Sequence, residues 1–252
     1  MPRHSLVGAA ALFAFAGGTA PRVPFILVNY LVVGGGGFDG GGPYGYGGGG
    51  GGAVIATSAM LSTYATYTAS VAGPTGSSSF NNTVARGGGT ASEGRYNHGG
   101  HGGSSGNGHG GGGGHGYGWD DGSWAAAGGG GAGAGEHGHG ASIWTGTNPV
   151  TPQPGRGGNG VHWPFTGKYY GAGGGGWWFG RLAGNHNGAS GHGQENFGGG
   201  SSRGNARSGG VIATYVSPLQ LFKGGAVTAS GVGEGKRWLH EFASSAHLSP
   251  ML

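Results

Sequence analysis

Of 252 residues, 72 are glycine, 12 are Lys or Arg and 8 are Asp or Glu. The glycines fall in uneven runs beside only 11 prolines, which excludes a collagen repeat, and 11 % aromatic with 8 % charged residues is the reverse of a disordered chain. A net charge of +4 from scattered basic residues leaves no stripe for nucleic acid, the lack of cysteine removes disulfides, and no apolar run reaches the ~18 residues of a membrane span.

Residues 1–20, MPRHSLVGAAALFAFAGGTA, have two readings. A basic start, an apolar middle and a small-residue end fit a secretory signal. The other reading is an N-terminal strand, with LFAF leading into an AGGTA turn. Pro24–Val33, PFILVNYLVV, is apolar on both faces except at Asn29, which predicts a buried central strand.

That strand runs into Gly34–Gly52, a glycine field carrying Phe38, Tyr44 and Tyr46. Glycine loses the most backbone entropy on ordering and has no side chain to bury in return. An ordered run must therefore satisfy its backbone donors and acceptors densely. The polyproline-II conformation has three residues per turn and no internal hydrogen bonds, so its polar groups face outward. Several such helices side by side can bond to one another, provided no Cβ holds them apart. The expected form is a bundle of polyglycine-II helices.

Ala53–Ser58 and Thr63–Val71 predict a second and a third strand, and Ser77–Ala85 a fourth after the turn at Ala72–Gly76. Residues 87–210 carry almost no strand signal. Glycine runs alternate there with short inserts at 119–124, 142–154, 161–170, 177–179 and 185–197. Val211–Val216 repeats the Val-Ile-Ala-Thr of residues 54–57, and the two segments are expected to bracket the bundle and pair in one sheet. The chain from 217 to 252 reads as a hairpin-like tail. The expected fold is thus mostly non-regular and all-β, with almost no α-helix. A polyglycine-II sandwich over 34–216 is bracketed by a small antiparallel sheet, between an N-terminal β segment (1–33) and the tail (217–252).

In this order LVVGGGG, AVIATS, TYTASV, GSSSF, ARGGG and SGGVIATY resemble the glycine-rich domains of phage and other viral tail or fibre proteins. The resemblance covers roughly residues 26–216. The closing WLHEFASSAHLSPML resembles the strand-turn-strand unit that flanks such domains, and LFAFAGGTA a degenerate copy of it. Gly155–Gly160, GRGGNG, is similar to the glycine motifs of T-even-type fibre-tip adhesins. The resemblance implies a polyglycine-II sandwich presenting variable loops to a host surface, and a virion location. Expected partners are other virion or fibre subunits, or copies of the chain itself, and a host cell-surface protein or glycan. A self-assembling subunit of a secreted extracellular fibre or coat is the alternative.

The candidate receptor contacts are Trp119, Trp124, Trp144, Trp163, Tyr169, Tyr170, Trp177 and Trp178, set among Asn, Ser and Gly. Rigid amphipathic rings beside adaptable polar groups are the chemistry of recognition loops. The competing reading is that these rings clad the bundle and form its hydrophobic cover. Twelve histidines include His98 and His101, His109, His115 and the pair His137/His139. Zinc needs three or four ligands in tetrahedral array, and polar decoration of exposed edges explains scattered histidines equally well; no metal or other cofactor is expected. Gly231–Lys236 approaches a phosphate loop but has Ser230 and Arg237 where the pattern needs glycine and a hydroxyl residue. Asp120 and Asp121 are adjacent rather than opposed across a cleft, so no enzyme active site is expected.

Overall fold

The structure is a computed structural model that describes residues 23–41, 45–94, 102–106, 117–119, 125–144, 151–180, 196–202, 204 and 206–251. The expectation for residues 1–20 lies outside that range. In chain order the strands are β1 (Phe25–Val33), β2 (Val54–Ser62), β3 (Tyr67–Ser70), β4 (Ser78–Phe80), β5 (Thr83–Ala85), β6 (Tyr117–Trp119), β7 (Ala125–Ala127), β8 (Ser142–Trp144), β9 (Thr151–Gln153), β10 (Val161–Trp163), β11 (Lys168–Tyr170), β12 (Trp178–Gly180), β13 (Gly210–Val216), β14 (Phe222–Lys223), β15 (Ala226–Ser230), β16 (Arg237–Phe242) and β17 (Ala246–Pro250). All pairings are antiparallel. The helical content among the described residues is one 3-10 turn at Gly233–Gly235. No helix there is long and apolar enough to cross a membrane.

Two five-stranded sheets face each other, one ordered β15-β16-β13-β1-β2 and the other β14-β17-β3-β4-β5. Alternate residues of β1, Val28, Tyr30 and Val32, point between the sheets. There they meet Leu61, Phe80, Val211, Tyr215, Phe222, Phe242 and Leu248. The intervening Leu31 and Val33 point the other way, into a second core with Val54, Ile212, Trp163 and Tyr170. Covering both faces is what a strand apolar on both faces requires.

This arrangement corrects two expectations. The repeated segments of β2 and β13 share a sheet but do not pair, because β1 lies between them. Residues 78–85 form a hairpin rather than one strand. Asn81 and Asn82 sit at φ 43° and 63°, the left-handed conformation that Asn tolerates and a two-residue hairpin turn demands. Beyond residue 216, β15 and β16 form a hairpin, β16 also pairs with β13, and β17 pairs with β3.

Four ends of this sandwich continue directly into glycine tracts, at Val33–Gly34, Ala53–Val54, Ala85–Arg86 and Gly209–Gly210. The tracts are cross-linked by backbone hydrogen bonds, and tract 45–53 shows the pattern. Its N–H groups at Gly47, Gly50 and Ala53 donate to Ser92, Gly89 and Arg86. Those at Gly48 and Gly51 donate to Gly129 and Ala132, and those at Gly49 and Gly52 to Ser201 and Gly198. Its carbonyls behave alike. Tyr46 and Gly49 accept from Trp177 and Gly174, Gly47, Gly50 and Ala53 from Gly40, Gly37 and Gly34, and Gly48 and Gly51 from Gly103 and Gly106. Successive residues thus turn to different neighbours, and every third residue returns to the same one. The β1–β2 register runs unbroken into this array: Val33 lies opposite Val54, and Gly34 then bonds Ala53, Gly37 bonds Gly50 and Gly40 bonds Gly47.

His240 is wholly buried between the sheets. Its Nδ1–H donates to the Gly224 carbonyl at 2.8 Å, and its ring stacks on Tyr215 at 5.7 Å. Nε2 has no hydrogen-bond partner among the described residues. Burial holds the pKa below the ordinary 6.5, with the Gly224 bond working the other way. The unfolded chain then takes up this proton more readily than the folded one. This contribution to stability is therefore complete above pH 6.5 and falls as the pH drops below it. Urea unfolding at stepped pH should show a decline below that point, and His240→Gln should flatten it. An unchanged slope in the variant would refute the assignment.

Candidate functional site

The hairpin β10–β11 rises from the end of tract 155–160 and returns into tract 171–177. Its turn is closed by Thr166 and Gly167 amides donating to the Trp163 carbonyl at 3.2 and 3.0 Å, with Gly167 at φ 69°. Alternation places Val161, Trp163, Lys168 and Tyr170 on one side and His162 and Tyr169 on the other. The first side packs against the outer face of the β15-β16-β13-β1-β2 sheet. Trp163 meets Phe165 edge-on at 5.2 Å, and the Arg237 guanidinium lies over the Phe165 ring at 4.7 Å. Tyr169 is 40 % exposed, 5.0 Å from the His162 ring.

Beside the hairpin lies a cleft of about 350 Å³ lined by Lys168, Tyr170, Asn196, Phe197, Arg207, Ser208, Glu241 and Ala243. Three parts of the chain build it. β11 brings Lys168 and Tyr170, and β16 brings Glu241 on the same sheet face as Arg237. Asn196, Phe197, Arg207 and Ser208 come from the chain before β13, and Ala243 directly follows β16. Asn196 Nδ2–H donates to the Tyr169 carbonyl at 2.8 Å, and the Arg207 backbone donates to Gly199 and accepts from Gly36. Phe197 stacks on Tyr170 at 6.3 Å and 23°. Burial raises the pKa of the Tyr170 hydroxyl, the bond to Thr166 opposes this, and the negative charge of Glu241 adds to it. The phenol therefore stays neutral and donates to Thr166 Oγ1 at 3.1 Å.

A second cleft, of about 470 Å³, lies between β2, β5 and Gly106. Its lining is aliphatic apart from Arg86. It lacks the convergence of unlike polar groups that marks a binding site.

The predicted aromatic contacts divide. Trp163, Tyr170 and Trp177 are buried, at 4 %, 2 % and 9 % exposure, so these three rings face the protein and act as cladding. Trp177 stacks on Tyr46 at 4.9 Å and 16°. Tyr169 alone of the four described side chains stands in solvent. For Trp119, Trp144 and Trp178 the description is confined to the backbone of β6, β8 and β12. Trp124 lies outside the described residues, as do His98, His101, His109 and His115. His139 Nε2 is 3.1 Å from Glu136 Oε1 and 2.9 Å from Arg156. The guanidinium beside it would repel a bound cation, and no cluster of three or more metal-ligating side chains occurs among the described residues. Burial pushes the Glu136 carboxyl up, but the Asn159 amide, His139 and Arg156 outweigh this and hold it below its ordinary 4.5.

Sequence reasoning missed Lys168, Arg207, Glu241, Asn196 and Phe197. The available signal was scarcity: with so few charged residues, any three that converge are informative. Comparison of the chain with protein-family models, with curated proteins and with solved structures finds no match.

Proposed function

We propose that this chain is a non-enzymatic structural protein of a phage virion, a tail-fibre or fibre-tip component that binds a host surface receptor. In this reading the glycine tracts form a polyglycine-II bundle, and the inserts between them are the contact surface. The observation that carries the reading is the return of hydrogen bonding to the same neighbour at every third residue along tract 45–53. Three residues per turn is the repeat of that helix. A bundle of this kind has a side-chain-free interior, and loops positioned by a rigid scaffold are where binding residues gather. The β10–β11 hairpin and its cleft are the best-formed such surface. Fluorescently labelled protein should bind intact bacterial cells saturably and compete with adsorption of the virions that carry it. Absence of the chain from purified virions, together with no saturable binding to cells, would overturn the proposal.

The alternative, a self-assembling subunit, has one observation in its favour. On the outer sheet face away from the tracts, Phe25, Leu27 and Met60 are 55 %, 51 % and 60 % exposed, with Leu27 directly opposite Met60. Exposed apolar groups of this kind mark interaction surfaces when they are contiguous. Sedimentation across a hundredfold range of concentration separates the readings: a receptor-binding tip keeps one sedimentation coefficient, whereas a polymerising subunit does not.

A further inference from the structure

We propose that the cleft between the β10–β11 hairpin, residues Asn196, Phe197, Arg207 and Ser208, and β16 binds an acidic saccharide, a sugar ring carrying one carboxylate. The inference rests on the receptor-binding reading and assigns the chemical class of what is recognised. Its first support is charge. Lys168 and Arg207 line the cleft together with Glu241. None of the three takes part in an ion pair within 4.0 Å among the described residues. Opposite charges that share a cleft without closing on each other leave room for a guest between them. Two cations against one carboxylate favour a guest with a single negative charge.

The second support is the neutral lining. Asn196 commits its Nδ2–H to the Tyr169 carbonyl, which leaves its amide oxygen as an acceptor for hydroxyl groups. Ser208 offers a hydroxyl, and Glu241 is a strong acceptor for sugar O–H groups. The Phe197 ring, held flat against Tyr170, supplies an apolar surface for the C–H face of a pyranose. Pockets that bind small molecules combine such an apolar wall with a few oriented polar groups, and their volumes begin near 300 Å³. The cleft, at about 350 Å³, accommodates one sugar residue rather than a long chain.

The third support is what the lining disfavours. A nucleic acid backbone presents many phosphates and needs a row of cations. Glu241 inside the cleft would repel it. A neutral sugar would leave Lys168 and Arg207 without a partner, so it should bind more weakly.

The test is titration of the full chain with glucuronate, N-acetylneuraminate and glucose, followed by ligand-observed NMR and calorimetry. Both acidic sugars should bind saturably and lose affinity as salt is raised. Glucose should bind at least about tenfold more weakly, as expected for loss of one charge-assisted contact. Lys168→Gln and Arg207→Gln should each weaken glucuronate by about fivefold or more. Both side chains are exposed, so melting temperature should not change. Arg86→Gln, in the other cleft, should leave binding intact. Equal affinity for glucose and glucuronate, or no effect of either cleft variant, would overturn the proposal. Cell binding is scored in parallel. Wild-type protein that binds cells but no acidic sugar refutes this inference and leaves the receptor reading standing. Protein that binds neither refutes both.

Discussion

Gly49→Val should abolish the folded state or reduce its stability by about 2.5–7.5 kcal/mol. Gly49 lies at the centre of tract 45–53, and a Cβ built there overlaps the carbonyl oxygen of Gly37 and crowds the amide of Ser201. Those atoms are backbone, and each is already committed. Gly37 O accepts from the Ser201 amide, Ser201 O accepts from Gly49, and Gly49 O accepts from Gly174. No side chain can rotate aside to make room. Overpacking a well-packed interior costs about 1–3 kcal/mol, and each backbone bond lost with it about 0.5–1.5 kcal/mol more. Set against a total stability of about 5–15 kcal/mol, the sum is close to unfolding. Gly73→Ala is the control, since nothing lies within 4 Å of a Cβ there. It should be neutral or stabilising by about 0.4–1 kcal/mol. Urea unfolding followed by tryptophan fluorescence distinguishes the two. Equal stability for Gly49→Val and wild type would rule out a close-packed backbone interior.

The second large effect is expected at Tyr215. Its ring is wholly buried and packs edge-on against Phe222 at 5.5 Å. Its hydroxyl oxygen accepts from the Leu221 and Phe222 amides at 3.0 and 3.2 Å, fixing the turn that leads from β13 to β14. That turn carries the chain from one sheet to the other. Tyr215→Phe keeps the ring and orphans two amides, an expected loss of about 1–3 kcal/mol. Tyr215→Ala also opens a cavity and should cost about 3–5 kcal/mol, the range for aromatic truncation. A Phe variant as stable as wild type would mean that the two amides find other partners. Midpoints of denaturant unfolding at constant slope give both values.

How much could be read in advance depended on whether a residue's role was local. The run from Phe25 to Val33 announces a central strand because both of its faces are apolar, and the structure seats it between β13 and β2. The hairpin at Ser78–Ala85 was less legible. The turn-forming Asn81-Asn82 pair is flanked by Phe80 and Thr83, so the segment reads as continuous strand. Alignment of the glycine tracts could not be read at all. One glycine is like the next, so sequence alone does not select among shifts of three residues along a tract. The alignment comes from the sandwich, whose side chains allow one β1–β2 register and pass it on from Val33/Val54 to Gly34/Ala53. The cleft was hidden for a similar reason. Lys168, Arg207 and Glu241 are far apart in the chain and meet only through tertiary pairing. The aromatic inserts were visible as a class, but the burial of Trp163 and Tyr170 depends on a sheet face completed by β13.

The exchange of strands between the two ends of the chain has a kinetic consequence. β3, near residue 68, has β4 close by in sequence on one edge but β17 on the other, and β1 has β2 nearby but β13 far off. During synthesis, neither sheet is complete until β16 and β17 have left the ribosome. Until β13 arrives, the apolar β1 has β2 on one edge and its other edge open, as slow-folding chains with distant partners do. A nascent chain of this design therefore depends on protection from chaperones or on slow dilution into solution, and its yield should fall steeply with expression rate.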